Sequence, residues 1–328
     1  MIMNASLRAD ETEHYVDLRM SVLGGGAPRR VGDASVNCII NGDLHLQAVY
    51  SKPDTSAPNY VYKPIGYYFN AELREGDVVT LEAISGDLCA RATAIVPKAA
   101  SLVSVDTVSV VDTPYYEGVD SYEFKVRISD IPDERTYMRL AMKQLATTVF
   151  DIGDDSEEHL HTTGLQFDFD DDSILRGNFH SNSERDRLSN PRNVISIPVV
   201  TNKYCIFSDE GFENSEYSPS LYLKKQHLWR PENPMYPAKT ESKVKIDLLT
   251  LSEEEYRYIY AYTHAEANGS LFGSDAFAQI LMEPVSFPSN VEGGLGLVTV
   301  AYVSSIELDL PTVFAKAANT RYSVLSWD

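Results

Sequence analysis

Cysteine is scarce in this chain, tryptophan scarcer still, and no apolar run is long. Three cysteines in 328 residues, Cys38, Cys89 and Cys205, leave at least one without a partner inside the chain, which excludes a fold held by a dense disulfide framework. No stretch approaches the roughly 18 apolar residues of a membrane-spanning helix. Positive charge is short too. Against 28 Lys and Arg stand 48 Asp and Glu, a formal charge of -20, divided as -3 over residues 1–104 and -17 over 105–328. Such a chain repels phosphate backbones and anionic lipid surfaces, whose binding relies on Lys and Arg neutralisation and counterion release, so nucleic acid is not an expected partner.

Catalytic signatures are also missing. There is no Gly-x-Ser-x-Gly elbow, no His-Glu-x-x-His and no cysteine in a catalytic context. The expectation is therefore a non-enzymatic protein, with no catalytic, cofactor-binding or metal-binding residue assigned. A hydrolase assembled from residues distant in sequence is the lesser alternative. Gly293-Gly294-Leu295-Gly296 is not a dinucleotide fingerprint, because Val298–Tyr302 continues as a strand where a phosphate-binding loop enters a helix. Glycines there imply a positive φ or a close backbone approach.

What the chain does have is aromatic and β-branched. With 43% hydrophobic and 23% charged residues, 20 Tyr and 12 Phe, it is globular and favours strands over helices. Its length suits two domains. The predicted class is all-β: an immunoglobulin-like β-sandwich over residues 1–103, then a larger β-sandwich-like domain over 104–328 with one short helix near 252–267. Strands are predicted at His14–Leu23, Ala34–Ile40, Leu44–Tyr50, Tyr60–Asn70, Asp77–Ala83 and Cys89–Val96, separated by turn residues such as Asn41-Gly42 and Glu75-Gly76-Asp77. Alternation puts Cys38 with Val36 and Ile40 but Cys89 with Arg91 and Thr93 on a wet face. In the second half, Leu102–Val111, Tyr122–Ile128 and Thr136–Leu145 alternate with period two. Ser252-Glu253-Glu254-Glu255 reads as a capping box, followed by the helical stripe Tyr256, Ile259, Tyr260 and Thr263 and closed by Asn268-Gly269.

Three clusters are candidates for function. Asp151, Asp154, Asp155, Glu157, Glu158, Asp168, Asp170, Asp171 and Asp172 crowd one segment, yet Asp168–Ser173 lacks the glycine and glutamate of a calcium-binding loop. That segment reads as exposed loop and hairpin, with Phe167 and Phe169 inward and Asp171-Asp172-Ser173 turning. His159-Leu160-His161 places two imidazoles on one side of a strand, which is a weak zinc signal. Better binding candidates are Tyr217, Tyr222, Trp229 and Tyr236, in or beside the proline-rich stretch 218–237, because Tyr and Trp supply large contact area at low entropy cost.

Glu283-Pro284-Val285-Ser286-Phe287-Pro288-Ser289-Asn290-Val291-Glu292-Gly293-Gly294-Leu295-Gly296-Leu297, with Ile206-Phe207-Ser208-Asp209-Glu210 upstream, resembles a large family of Bacteroidetes outer-membrane lipoproteins known as domain of unknown function 4249 (DUF4249). The resemblance runs from Val16 to about Leu310. It implies an immunoglobulin-like first domain and an exported, non-enzymatic lipoprotein of the outer membrane, accessory to a TonB-dependent transporter. Its partners would be that transporter and a small-molecule, peptide or glycan ligand. A structural or adhesive surface protein is the alternative. Met1-Ile2-Met3-Asn4 begins no signal peptide, having neither a basic n-region nor an apolar h-region. Relatives begin with a lipoprotein signal and a lipidated cysteine, so the anchor is read as missing from this sequence.

Overall fold

The computed structural model describes residues 1–22, 26–52, 63–152, 155–169, 171–180, 200–231, 235–269 and 285–315. The chain is mainly β. Its first hundred residues hold β1 (Ile2–Arg8), β2 (Glu13–Met20), β3 (Arg29–Arg30), β4 (Ser35–Ile40), β5 (Leu44–Ser51), β6 (Gly66–Asn70), β7 (Val78–Ser85) and β8 (Leu88–Ile95). Five of the expected strands recur within a few residues, and the sixth survives as β6. The proposed start of that sixth strand, Tyr60–Tyr62, lies outside the described residues, as do Gly24 and Gly25. Asn41 and Gly42 both have positive φ, 55° and 78°, as a two-residue hairpin turn between β4 and β5 demands.

The remaining strands are β9 (Ser101–Val110), β10 (Ser121–Ser129), β11 (Tyr137–Asp151), β12 (Ser156–Leu165), β13 (Ile206–Ser208), β14 (Glu216–Tyr217), β15 (Ser220–Lys224), β16 (Ala238–Leu251), β17 (Val298–Asp309) and β18 (Val313–Ala315). Two α-helices are described, the single turn α1 (Ser173–Arg176) and the long α2 (Glu253–Gly269). A large sheet runs in the order β12-β11-β16-β17-β1-β2-β6-β5-β4-β7-β8. In a smaller sheet β10 pairs with β9 on one side and with β14 and β15 on the other.

Strand β1 joins the two halves. It was not among the expected strands, because its partner β17 is nearly 300 residues away and pairs with it in parallel, Leu7 opposite Val300. From β1 the sheet curls around one apolar core that includes Met3, Val16, Val36, Leu81 and Val298. Cys38 belongs to this core while Cys89 is exposed, so the two cannot meet, and neither forms a disulfide. The curl closes through the glycine-rich segment, where Glu292 bridges to Arg91 of β8 and Leu295 to Ile2 of β1.

The second core lies between the two sheets. Alternation along β11 sends Met138, Leu140 and Met142 inward, where they meet Phe124, Val126 and Ile128 of β10 and Val244, Ile246 and Leu248 of β16. On the opposite face of the large sheet, α2 lays Tyr256, Ile259 and Tyr260 against Leu249, Leu251, Ala301 and Val303. Its N-terminus departs from the expected capping box. Ser252 Oγ accepts from the Glu255 amide at 3.2 Å, but the Glu255 carboxylate turns away to Ser6 Oγ at 3.3 Å and to Thr299. Helix α2 and strand β1 are thereby tied together.

Candidate functional site

The four aromatic candidates occupy four different settings. Tyr217 is buried, with its ring stacked on Phe212 at 4.7 Å between centroids and its hydroxyl donating to Asp172. It is a core residue rather than a presented contact. Tyr222 is half-buried in β15, where its hydroxyl donates to Glu123 at 3.3 Å and its ring meets Tyr115 edge-on. Trp229 stacks on His161 at 4.4 Å, and Gln144 grips its backbone from both sides, accepting from its N–H at 2.7 Å and donating to its carbonyl at 3.0 Å. Tyr236 is 40% exposed beside Met235 at 69%.

Tyr236 belongs to one end of the large sheet. The Asp151 amide donates to Pro237 O at 2.9 Å, Phe314 lies opposite Lys239, and Leu160 lies opposite Thr147, itself opposite Glu241. Leu160 is 79% exposed and Phe314 74%. Exposed apolar side chains thus stand on β12, on β18 and just before β16, with Thr147, Glu241 and Lys239 of β11 and β16 between them, a placement that strand pairing creates and sequence order conceals.

The acidic segment separates into parts with different roles. Glu157 and Glu158 stand exposed on β12, with Glu157 paired to His159 at 2.9 Å. Asp154 and Asp170 lie outside the described residues. Asp168 is half-buried, bridged to Tyr222 through both backbone hydrogen bonds, and desolvation raises its pKa. Asp172 does not turn a hairpin as expected. It caps α1, its carboxylate accepting from Ile174 and Leu175 amides at 2.9 and 3.0 Å, because a side-chain acceptor satisfies donors that a helix start leaves open. Among the described residues no group of three His, Cys, Asp or Glu is arranged to hold a metal ion.

An opening interrupts the edge of the large sheet. Strand β12 accompanies β11 only as far as Met142 opposite Leu165, and β13 takes up the same edge at Arg139 opposite Ile206. Between them the chain swings away and leaves a cleft of about 720 Å³. Arg8, Arg139, Lys143 and Lys203 line it, with Asp168 and Asp247 the acids. Asp247 is 3% exposed and receives the Ser305 hydroxyl at 2.6 Å. Arg8, Lys143 and Lys245 approach its carboxylate at 3.6, 3.5 and 3.6 Å. Burial pushes this carboxyl upward, but the Ser305 hydrogen bond and the three cations outweigh it and hold its pKa below the ordinary value. No single motif marks this site, since its cations come from β1, β11 and the segment before β13.

This is a mainly-β protein whose two cores share a continuous sheet, with an open cleft at one sheet edge and exposed apolar side chains at one end. The model of the family "Domain of unknown function (DUF4249)" matches residues 1–307, and the chain belongs to that family. No curated protein and no solved structure matches it.

Proposed function

We propose that this protein is a non-enzymatic accessory of an outer-membrane transporter. In this reading it is an exported lipoprotein of the Bacteroidetes cell envelope that docks on a TonB-dependent barrel and captures or delivers a small-molecule, peptide or glycan ligand. The observation that carries the docking is a set of exposed apolar side chains at this end of the large sheet, Leu160, Met235, Tyr236 and Phe314, interspersed with the Lys239–Glu241 ion pair. Single exposed apolar residues are ordinary, whereas a group of them rimmed by charge marks an interaction surface. The rim here holds Asp151, Asp155, Glu157 and Glu158, so a complementary partner presents basic groups around an apolar centre. A lipid chain would hold so acidic a protein at a membrane that its own charge repels.

Affinity capture of the full-length gene product from the native envelope tests the proposal. An outer-membrane barrel should co-purify, and the double change Tyr236→Ser with Leu160→Ser should lower its yield several-fold. Fractionation of the full-length product with the cytoplasm, or capture without any barrel, overturns it.

A further inference from the structure

We propose that the cleft between the end of β12 and the start of β13 is a binding site for a small organic carboxylate. This names the class of ligand that the accessory reading leaves open. It rests on that reading for its biological role only, because binding is measured without a transporter.

The first support is charge. Acids outnumber bases by 48 to 28 over the whole chain, yet four of the six charged residues lining this cleft are basic. The second is the way those cations are held. Lys143 and Arg8 approach Asp247 at 3.5 and 3.6 Å, at ion-pair rather than hydrogen-bonding distance, while Ser305 takes the short contact. One buried carboxylate thus gathers three cations, counting Lys245. Arg8 gives its short hydrogen bonds to Asp10, and Lys203 is paired with Glu266, so Lys143 and Arg139 are the lining cations left to meet a ligand. The third is Arg139, whose Nε is buried without a hydrogen-bond partner. Among the described residues no carboxylate holds that edge of the guanidinium, and a carboxylate in the cleft would be met by the guanidinium nitrogens that line it.

The walls indicate what the carboxylate is attached to. The guanidinium of Arg139 lies 5.6 Å from the centre of the Tyr204 ring, and Phe167 and Ala141 stand partly open on the same lining. A volume of 720 Å³ falls within the range of small-molecule sites, about 300 to 1,000 Å³. The ligand that fits is an acid with an aromatic or aliphatic body, its charge toward Arg139 and Lys143 and its body against Tyr204 and Phe167.

Amide NMR titration and calorimetry on the purified chain test this with three probes of similar shape: phenylacetate, its neutral amide and phenethylamine. Phenylacetate should bind with a Kd of about 1 mM or tighter, shift the Ala141 and Gly164 amides, and weaken as salt is raised. The amide and the amine should bind at least about tenfold more weakly. Lys143 has a side chain 32% exposed, so Lys143→Gln keeps the fold and should weaken binding about fivefold or more. Arg139→Gln should weaken it further, and Arg139→Lys should not restore it fully, because an ammonium lacks the planar fork. Lys63→Gln, on the surface beside Glu13, serves as the unchanged control. No saturable phenylacetate binding up to about 10 mM, equal affinity for the amine, or binding indifferent to Lys143→Gln overturns the proposal. Barrel capture with Lys143→Gln, which leaves the apolar sheet end intact, reports separately on docking.

Discussion

Arg91 and Glu292 exchange both of their backbone hydrogen bonds, Arg91 N to Glu292 O at 3.0 Å and Glu292 N to Arg91 O at 2.7 Å. Through this pair the glycine-rich segment covers the outer edge of β8, while Leu295, receiving from Met3 N and donating to Met1 O, extends the edge of β1. An open strand edge invites pairing with another chain. The segment is thus a backbone staple, and its glycines follow from the closeness of the strands it joins.

Gly296 is the position where that closeness is most severe. Its φ is +123°, and an added Cβ would stand 2.0 Å from Met3 O. Gly296→Ala should therefore lower stability by about 3 kcal/mol or more, since backbone strain and a backbone clash add. Gly76, with φ +82° and no atom within 4 Å of where a Cβ would stand, is the control, and alanine there should cost only about 1 to 2 kcal/mol. Urea unfolding of both variants measures the contrast, and equal losses would remove the staple argument.

Asp172 serves two elements, capping α1 and accepting the hydroxyl of the buried Tyr217. Asp172→Ala should cost about 2 to 4 kcal/mol, the sum of a lost cap and a weakened buried hydroxyl. Tyr217→Phe should cost less, about 1 to 2 kcal/mol, because the cap survives it. The double variant should fall short of the sum by about 1 kcal/mol. Strict additivity in denaturant titrations would show that the two residues act separately.

Period-two alternation made β11 legible as a strand, and positive-φ chemistry made the Asn41-Gly42 turn legible, because both are local consequences of the residues themselves. Glu255 was legible only in part. Its spacing from Ser252 announced a helix start correctly, but the carboxylate answers to Ser6, 249 residues away, which spacing along the helix cannot report. Strand β1 and the cleft escaped for the same reason, the one being set by parallel pairing with β17 and the other by where β12 stops and β13 resumes along β11. Among the aromatics, composition identified contact-type residues but could not separate Tyr217, covered by Phe212, from Tyr236 at the open end.

Glu255 also fixes a pH dependence. Desolvation raises its pKa above the ordinary 4.5, despite hydrogen bonds from Thr299 and Ser6 and the nearby charges of Arg139 and Arg8. A carboxyl with a raised folded-state pKa contributes its full stability below the unfolded value and loses it as pH rises through the folded value. Glu255→Gln, which stays neutral, should escape that loss, so its stability relative to the parent should increase from pH 4 toward pH 8. Parallel thermal unfolding across that range measures it, and a relative stability that falls with pH would reverse the assignment.

Gln144 determines whether the Trp229 segment is held in place. It is 1% exposed, and its amide satisfies both the N–H and the carbonyl of Trp229 while also donating to Ser242 Oγ at 3.0 Å. Gln144→Leu keeps the volume roughly constant but deprives that backbone of both partners, at a cost of about 2 to 3 kcal/mol if the segment stays buried. Release is the cheaper response, since water can then replace the amide. Trp229 would leave His161, and its fluorescence should shift to the red. In a Trp327→Phe background, which removes the other tryptophan of the chain, that emission reports Trp229 alone. If this grip also orders the neighbouring apolar end, Gln144→Leu should reduce barrel capture without altering phenylacetate affinity, because the cleft is lined by other side chains. An unshifted emission spectrum with unchanged stability would show that the Gln144 contacts hold nothing.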